Sequence, residues 1–112
     1  MQCPKCDVAM NAFTYMEVEI DRCPQCAGVW LDKGEMQTIL DKGLGNIIDM
    51  PSSAEREKAI EMDAKSGHCR RCNKAMFNMP GADNIRFDWC QGCDAVFFDA
   101  GELAKLQAFD AD

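Results

Sequence analysis

The sequence predicts a small α+β protein built from two copies of one unit, each a β-hairpin followed by a short helix. Three observations predict it. Eight cysteines among 112 residues fall into four Cys-x-x-Cys pairs. The pairs and their surroundings recur at an offset of 66 or 67 residues. Within each copy, an alternating apolar and polar run precedes a segment with apolar residues at helical spacing.

The first copy occupies residues 1–43 and opens with Cys3-Pro4-Lys5-Cys6. Met16, Val18 and Ile20 then alternate with Glu17, Glu19 and Asp21, the period of a strand with one buried face. Cys23-Pro24-Gln25-Cys26 follows, and Val29-Trp30-Leu31 leads into Asp32-Lys33-Gly34-Glu35. Met36, Ile39 and Leu40 give the next segment a helical stripe that can cover the hairpin. Trp30, beside a cysteine pair and too large to leave in water, is a core candidate.

Residues 44–66 differ from both copies. Gly43 and Gly45 are expected to end the first helix, and Leu44 to Met50 to form a loop. Ser52 and Glu55 have capping-box spacing, so a linker helix is expected to start there and run to about Ser66. Its apolar stripe is thin: Ala59, Ile60, Met62 and Ala64.

The second copy occupies residues 67–112. Cys69-Arg70-Arg71-Cys72 and Cys90-Gln91-Gly92-Cys93 supply its pairs, and Ile85, Phe87 and Trp89 alternate with Arg86 and Asp88. Val96-Phe97-Phe98, Asp99-Ala100-Gly101-Glu102 and the stripe Leu103, Leu106 and Phe109 repeat the end of the first copy. Ala9-Met10 recurs as Ala75-Met76, placing both methionines in the core. The change of offset means one inserted residue, assigned to the hairpin turn, where Pro80-Gly81-Ala82-Asp83 supplies turn formers.

Units this small bury too little surface to offset their chain entropy, so a staple is required. The spacings C-x2-C-x16-C-x2-C and C-x2-C-x17-C-x2-C provide one. Two intervening residues let a tight knuckle aim both sulfurs at a point about 2.3 Å away, and two knuckles complete a tetrahedron. Cys3, Cys6, Cys23 and Cys26 are the candidate ligands of one ion, and Cys69, Cys72, Cys90 and Cys93 of a second. Four thiolates select zinc, with iron its main competitor. The fold class is therefore a small metal-stabilised α+β: two four-cysteine zinc ribbons, each with its helix, joined by a linker helix. Asp7, Gly28, Asn73 and Asp94 are expected to carry the left-handed backbone that follows such knuckles. His68, next to Cys69, is read as an exposed or supporting residue, because four cysteines already complete the site.

A closed four-thiolate site has no position for water or substrate, so two structural zinc ions are expected, and no catalysis. Thioredoxin-like chemistry would need a βαβ frame that this pattern lacks. Asp32 with Glu35, and Asp99 with Glu102, could suggest acid–base chemistry. A capping box explains more positions, because Leu31 with Met36 and Phe98 with Leu103 then form hydrophobic staples. Cys3 leaves no room for a secretory leader, and no apolar run nears the roughly 20 residues of a membrane span, so a cytoplasmic location is expected.

Cys3-Pro4-Lys5-Cys6, Ile20 to Cys26 and Gly28 to Glu35 resemble the bacterial transcription factor IIB-type zinc-finger family along nearly the whole first copy. The second copy resembles it at its cysteines, at Asp88 and from Val96 to Leu103. It departs in lacking the knuckle prolines and in having Ala95 in place of Gly28. The resemblance implies a zinc ribbon and a transcriptional or nucleic-acid role.

The net charge of −7 falls to about −11 with two tetrathiolate zinc ions, which opposes non-specific attraction to nucleic acid and anionic membranes. A protein-interaction or regulatory adaptor is therefore the leading expectation. Ile47, Ile48, Met50 and Ile60 are its candidate partner-binding residues. The plainer reading is that Ile47 and Ile48 pin the linker against a ribbon or mediate a homodimer. The alternative is nucleic-acid binding through Arg70, Arg71, Lys74 and Arg86 on the second copy. A redox or metal sensor working through the thiolates ranks below both.

Overall fold

The structure, a computed structural model, describes residues 2–50, 52–55, 57, 67–80 and 85–110. In the first copy β1 (Asn11–Tyr15) and β2 (Val18–Arg22) form an antiparallel hairpin closed by the two residues Met16 and Glu17. Both of these have positive φ, 45° and 72°, the backbone hand that suits the twist of a two-residue hairpin. Met16 therefore sits in the turn, and the buried face of the strand begins at Val18 and continues at Ile20. The alternation in the sequence ran one apolar residue past the strand.

β3 (Val29–Leu31) pairs with β2, and α1 (Glu35–Lys42) follows. α1 stops at Gly43, whose φ of 69° lets the Gly43 and Leu44 amides donate back to Leu40 O and Ile39 O. The next residues are not the expected loop. Gly45–Ile48 form the short helix α2, with Leu44 and Ile48 buried. Gly45 ends nothing. It is small because a Cβ there would meet the side chain of Gln107, whose Oε1 accepts the Gly45 amide at 3.0 Å.

Ser52 and Glu55 form the expected capping box: Ser52 N–H donates to Glu55 Oε1 at 2.8 Å and Glu55 N–H to Ser52 Oγ at 3.2 Å. Residues 53–55 are helical. The rest of the linker helix, including Ala59, Ile60, Met62 and Ala64, lies outside the described residues. So do Gly81, Ala82 and Asp83 of the expected turn and the Phe109 side chain; Pro80 is the last residue of a strand.

In the second copy β4 (His68–Cys69) and β5 (Lys74–Ala75) form a small ribbon around the first knuckle. β6 (Phe77–Pro80), β7 (Arg86–Trp89), β8 (Val96–Phe98) and α3 (Glu102–Asp110) repeat the order of the first copy. Four residues separate the pair Thr14 and Glu19, and five separate Pro80 and Arg86, which puts the extra residue in the second hairpin loop.

The two copies share one six-stranded sheet in the order β1-β2-β3-β8-β7-β6. β3 and β8 run antiparallel in the centre, with Trp30 opposite Phe97, Val29 opposite Phe98 and Leu31 opposite Val96. Trp30 and Phe97 are equivalent positions of the repeat, so a local two-fold axis passes between them. Because side chains alternate across a strand, the central strands are covered on both faces. Val29, Leu31, Val96 and Phe98 pack with Ile39, Leu44, Ile48 and Leu103 on the helix side. Trp30, Phe97, Met10, Met76 and Ala95 pack among the cysteines on the other. Among the described residues no helix is long and apolar enough to cross a membrane.

Candidate metal centres

Three of the four knuckles are short loops held by backbone bonds of one pattern. The Cys3 amide donates to Val8 O and the Asp7 amide to Cys3 O; Cys23 with Gly28 and Ala27, and Cys90 with Ala95 and Asp94, repeat the arrangement. The residue after each second cysteine turns left-handed: Asp7, Ala27, Asn73 and Asp94 have φ between 53° and 60°. Gly28 is thus not the left-handed residue of its knuckle. It is glycine because a Cβ would intrude on the ring of Phe97 from the other copy.

The loops bring the sulfurs into two groups, Cys3, Cys6, Cys23 and Cys26, and Cys69, Cys72, Cys90 and Cys93, each with all Sγ atoms within 4.8 Å of one another. Cys3 and Cys26 sulfurs are 4.0 Å apart, and Cys69 and Cys93 sulfurs 3.9 Å. A zinc–sulfur bond of about 2.3 Å gives a tetrahedron with edges of about 3.8 Å, so both groups fit zinc. They do not fit disulfides, which need about 2.05 Å, and all eight thiols are free. Backbone amides donate to Sγ of Cys3, Cys23, Cys26 and Cys69 at 3.4 Å, an environment that favours thiolates.

The electrostatics of the first group point the same way. A hydrogen bond from Cys26 pulls the Cys3 thiol down to about 5, whereas burial beside that thiolate pushes Cys6 up to about 11. Burial likewise pushes Cys93 in the second group up to about 12. Four thiols at one point cannot all ionise unaided. A divalent zinc ion held by the four sulfurs would supply the compensating charge and tie the two knuckles together.

His68 is in neither group; its Nε2 lies 3.1 Å from Asn73 Oδ1. The Asp-x-Gly-Glu segments are not capping boxes formed by the Asp side chains. The Glu35 and Glu102 amides donate to Asp32 O and Asp99 O, and Gly34 and Gly101 have φ of 87° and 90°, the form of a type II turn with glycine third. Glu35 does reach back to the Asp32 amide at 2.7 Å. The staple residues Leu31, Met36, Phe98 and Leu103 share the helix-side core. The freed aspartates take other partners.

Asp99 and Asp88 bind Lys5, at 2.8 Å and 3.1 Å, with all three side chains at most 5% exposed. Burial alone would lower the Lys5 ammonium, but the charges of Asp99 and then Asp88 outweigh it and hold it above its ordinary value. Asp32 accepts Arg71 at 2.7 Å, and the Arg71 guanidinium lies 5.8 Å from the Trp30 ring centre. Lys5 lies 5.9 Å from the Phe97 ring centre in the matching relationship. The cation between the cysteines of each first knuckle therefore crosses to the turn and aromatic residue of the opposite copy. Sequence reasoning missed this, although the signal was present: Lys5 and Arg71, Asp21 and Asp88, Asp32 and Asp99 recur in one frame.

The remaining candidates divide. Arg70 pairs with Asp7 at 3.4 Å and Arg86 donates to Asn78 at 3.0 Å, while Lys74 is exposed. Ile47 and Met50 are 57% and 71% exposed. Ile48 is wholly buried in the helix-side core, which removes it from the partner-binding set, because α2 turns it inward beside Leu44. Ile60 lies outside the described residues.

Comparison with known proteins agrees with the geometry. Neither curated proteins nor solved structures gave a match. A family model described as a transcription factor zinc-finger matches twice, over residues 2–42 and 68–108. Each match encloses one four-sulfur group, and together they span both copies: the chain belongs to the TFIIB-type zinc-ribbon family and carries two of its domains.

Proposed function

We propose that the chain is a non-enzymatic adaptor: two structural zinc ions fix a rigid double ribbon that docks on a protein partner in a reducing compartment, the cytoplasm. A coordination shell of four thiolates has no open position for chemistry, which supports a structural role. The observation that carries the docking reading is that Phe13 and Met50, both exposed, line one shallow groove between β1 and the segment after α2. Ile47 adds exposed apolar surface on the neighbouring helix. Exposed apolar side chains that gather beside a groove support a contact surface more than scattered ones do. Arg70 and Arg71, the core of the alternative nucleic-acid surface, are engaged with Asp7 and Asp32, and the net charge of −7 opposes a phosphate backbone.

Cross-linking of the zinc-loaded chain in its host extract, with an Ile47→Asp/Met50→Asp variant alongside, tests the reading. A partner cross-linked through this face and lost in the variant is expected. Micromolar binding of oligonucleotides that weakens steeply with salt and disappears in Arg70→Ala/Arg71→Ala would replace it with the nucleic-acid reading.

A further inference from the structure

Lys5 joins the frames of the two metal groups. It stands between two ligands of the first group, in a knuckle whose loop is drawn around Cys3 by the Cys6 amide. Its side chain ends in the second copy, on Asp88 two residues before Cys90 and on Asp99 just beyond β8. The same knuckle accepts the His68 amide on Pro4 O at 3.0 Å, next to Cys69. The frame of the second metal group thus contains two buried carboxylates whose charge is compensated by a residue that only an ordered first knuckle can deliver.

We propose that Lys5 is a positioning residue that couples the two metal sites, so that zinc in the first cysteine group strengthens zinc binding in the second and the chain loads its ions as a pair. When the first knuckle is metal-free and loose, Lys5 withdraws. Asp88 and Asp99 then lose the ammonium that compensates their charge, a state that opposes closure of the second ribbon around them. Filling the first group removes the penalty before the second ion arrives. By linkage the second ion strengthens the first equally. The return link from Arg71 to Asp32 is weaker, because Arg71 is 48% exposed and water can replace it. The asymmetry assigns the coupling to Lys5.

Native mass spectrometry of the reduced, metal-free full chain during zinc titration counts molecules with zero, one and two ions. Independent equal sites would leave about half the molecules with one ion at half-saturation. The proposal expects the one-ion species well below that share; a share of half or more would overturn it. Lys5→Met should raise the one-ion species to about half or more while two ions still bind at excess zinc. Lys5→Met/Asp99→Asn gives the same readout in a chain whose buried group keeps its original net charge. Arg71→Met should change the distribution little. If either Lys5 variant kept the cooperative pattern of the parent, the coupling would run through the β3–β8 pairing instead, and the assignment to Lys5 would be wrong.

Discussion

The Lys5 ammonium lies 2.8 Å from a carboxylate oxygen of Asp99, a residue 94 positions away, and both side chains are buried between the two ribbons. Two ribbons that could have been independent beads are joined by a charge placed where water cannot compensate it.

Removing one partner of such a group is costly. Lys5→Met should destabilise the zinc-loaded chain by about 3–5 kcal/mol in chemical denaturation, because two carboxylates stay behind. Arg71→Met, at a half-exposed pair, should cost at most about 1 kcal/mol. Equal losses would mean that the buried cluster is no more important than its exposed counterpart.

Asp49 supplies the cap that the repeat motif does not. Its carboxylate, in the segment between the copies, accepts the Gly101 amide at 2.9 Å and the Ala104 amide at 3.0 Å, at the start of α3 in the second copy. Asp49→Ala should lower stability by about 1–2 kcal/mol with two ions still bound, measured by denaturation and metal analysis. The same change at Asp32 should leave α1 capped as before, since no side chain caps that helix.

Gly28 is held small by Phe97. Gly28→Ala should cost about 1–3 kcal/mol through overpacking at the ribbon interface, and Phe97→Leu in the same chain should recover part of it. No recovery in the double variant would place the strain elsewhere in the knuckle.

Metal binding should be steeply dependent on pH. In the metal-free first group burial pushes Cys6 up to about 11, and the bond to the Cys3 thiolate raises Cys26 above the ordinary thiol value, so both hold protons at neutral pH. Zinc requires them as thiolates and must expel at least these two. Affinity at this group should therefore rise about 100-fold or more per unit of increasing pH through the neutral range, and fall equally on acidification. Calorimetry in buffers of different ionisation enthalpy counts the protons. Release of fewer than two would contradict the arrangement.

Much of each ribbon was legible in the sequence because its signals are local. Knuckles, hairpins and helices rest on residues within about twenty positions of one another, and the repeat states each twice. The Ser52–Glu55 cap was legible for the same reason. The Asp-x-Gly-Glu turn was misassigned because a capping box and a type II turn share spacing, and only the glycine φ separates them. Asp88 counted as the polar face of a strand, yet it is buried, since that face is covered by the other copy's knuckle.

The sequence alone determined the two four-cysteine groups, the order of elements in each copy and the need for a metal, because these follow from spacing and from too small a core. Only the tertiary structure decided that the copies fuse into one sheet about a local two-fold axis, that Ile48 is core and Met50 surface, and that Lys5 and Asp49 serve the second ribbon. Those choices depend on which faces meet. A strand's alternation shows that a face needs cover, but not which of two equivalent surfaces will provide it.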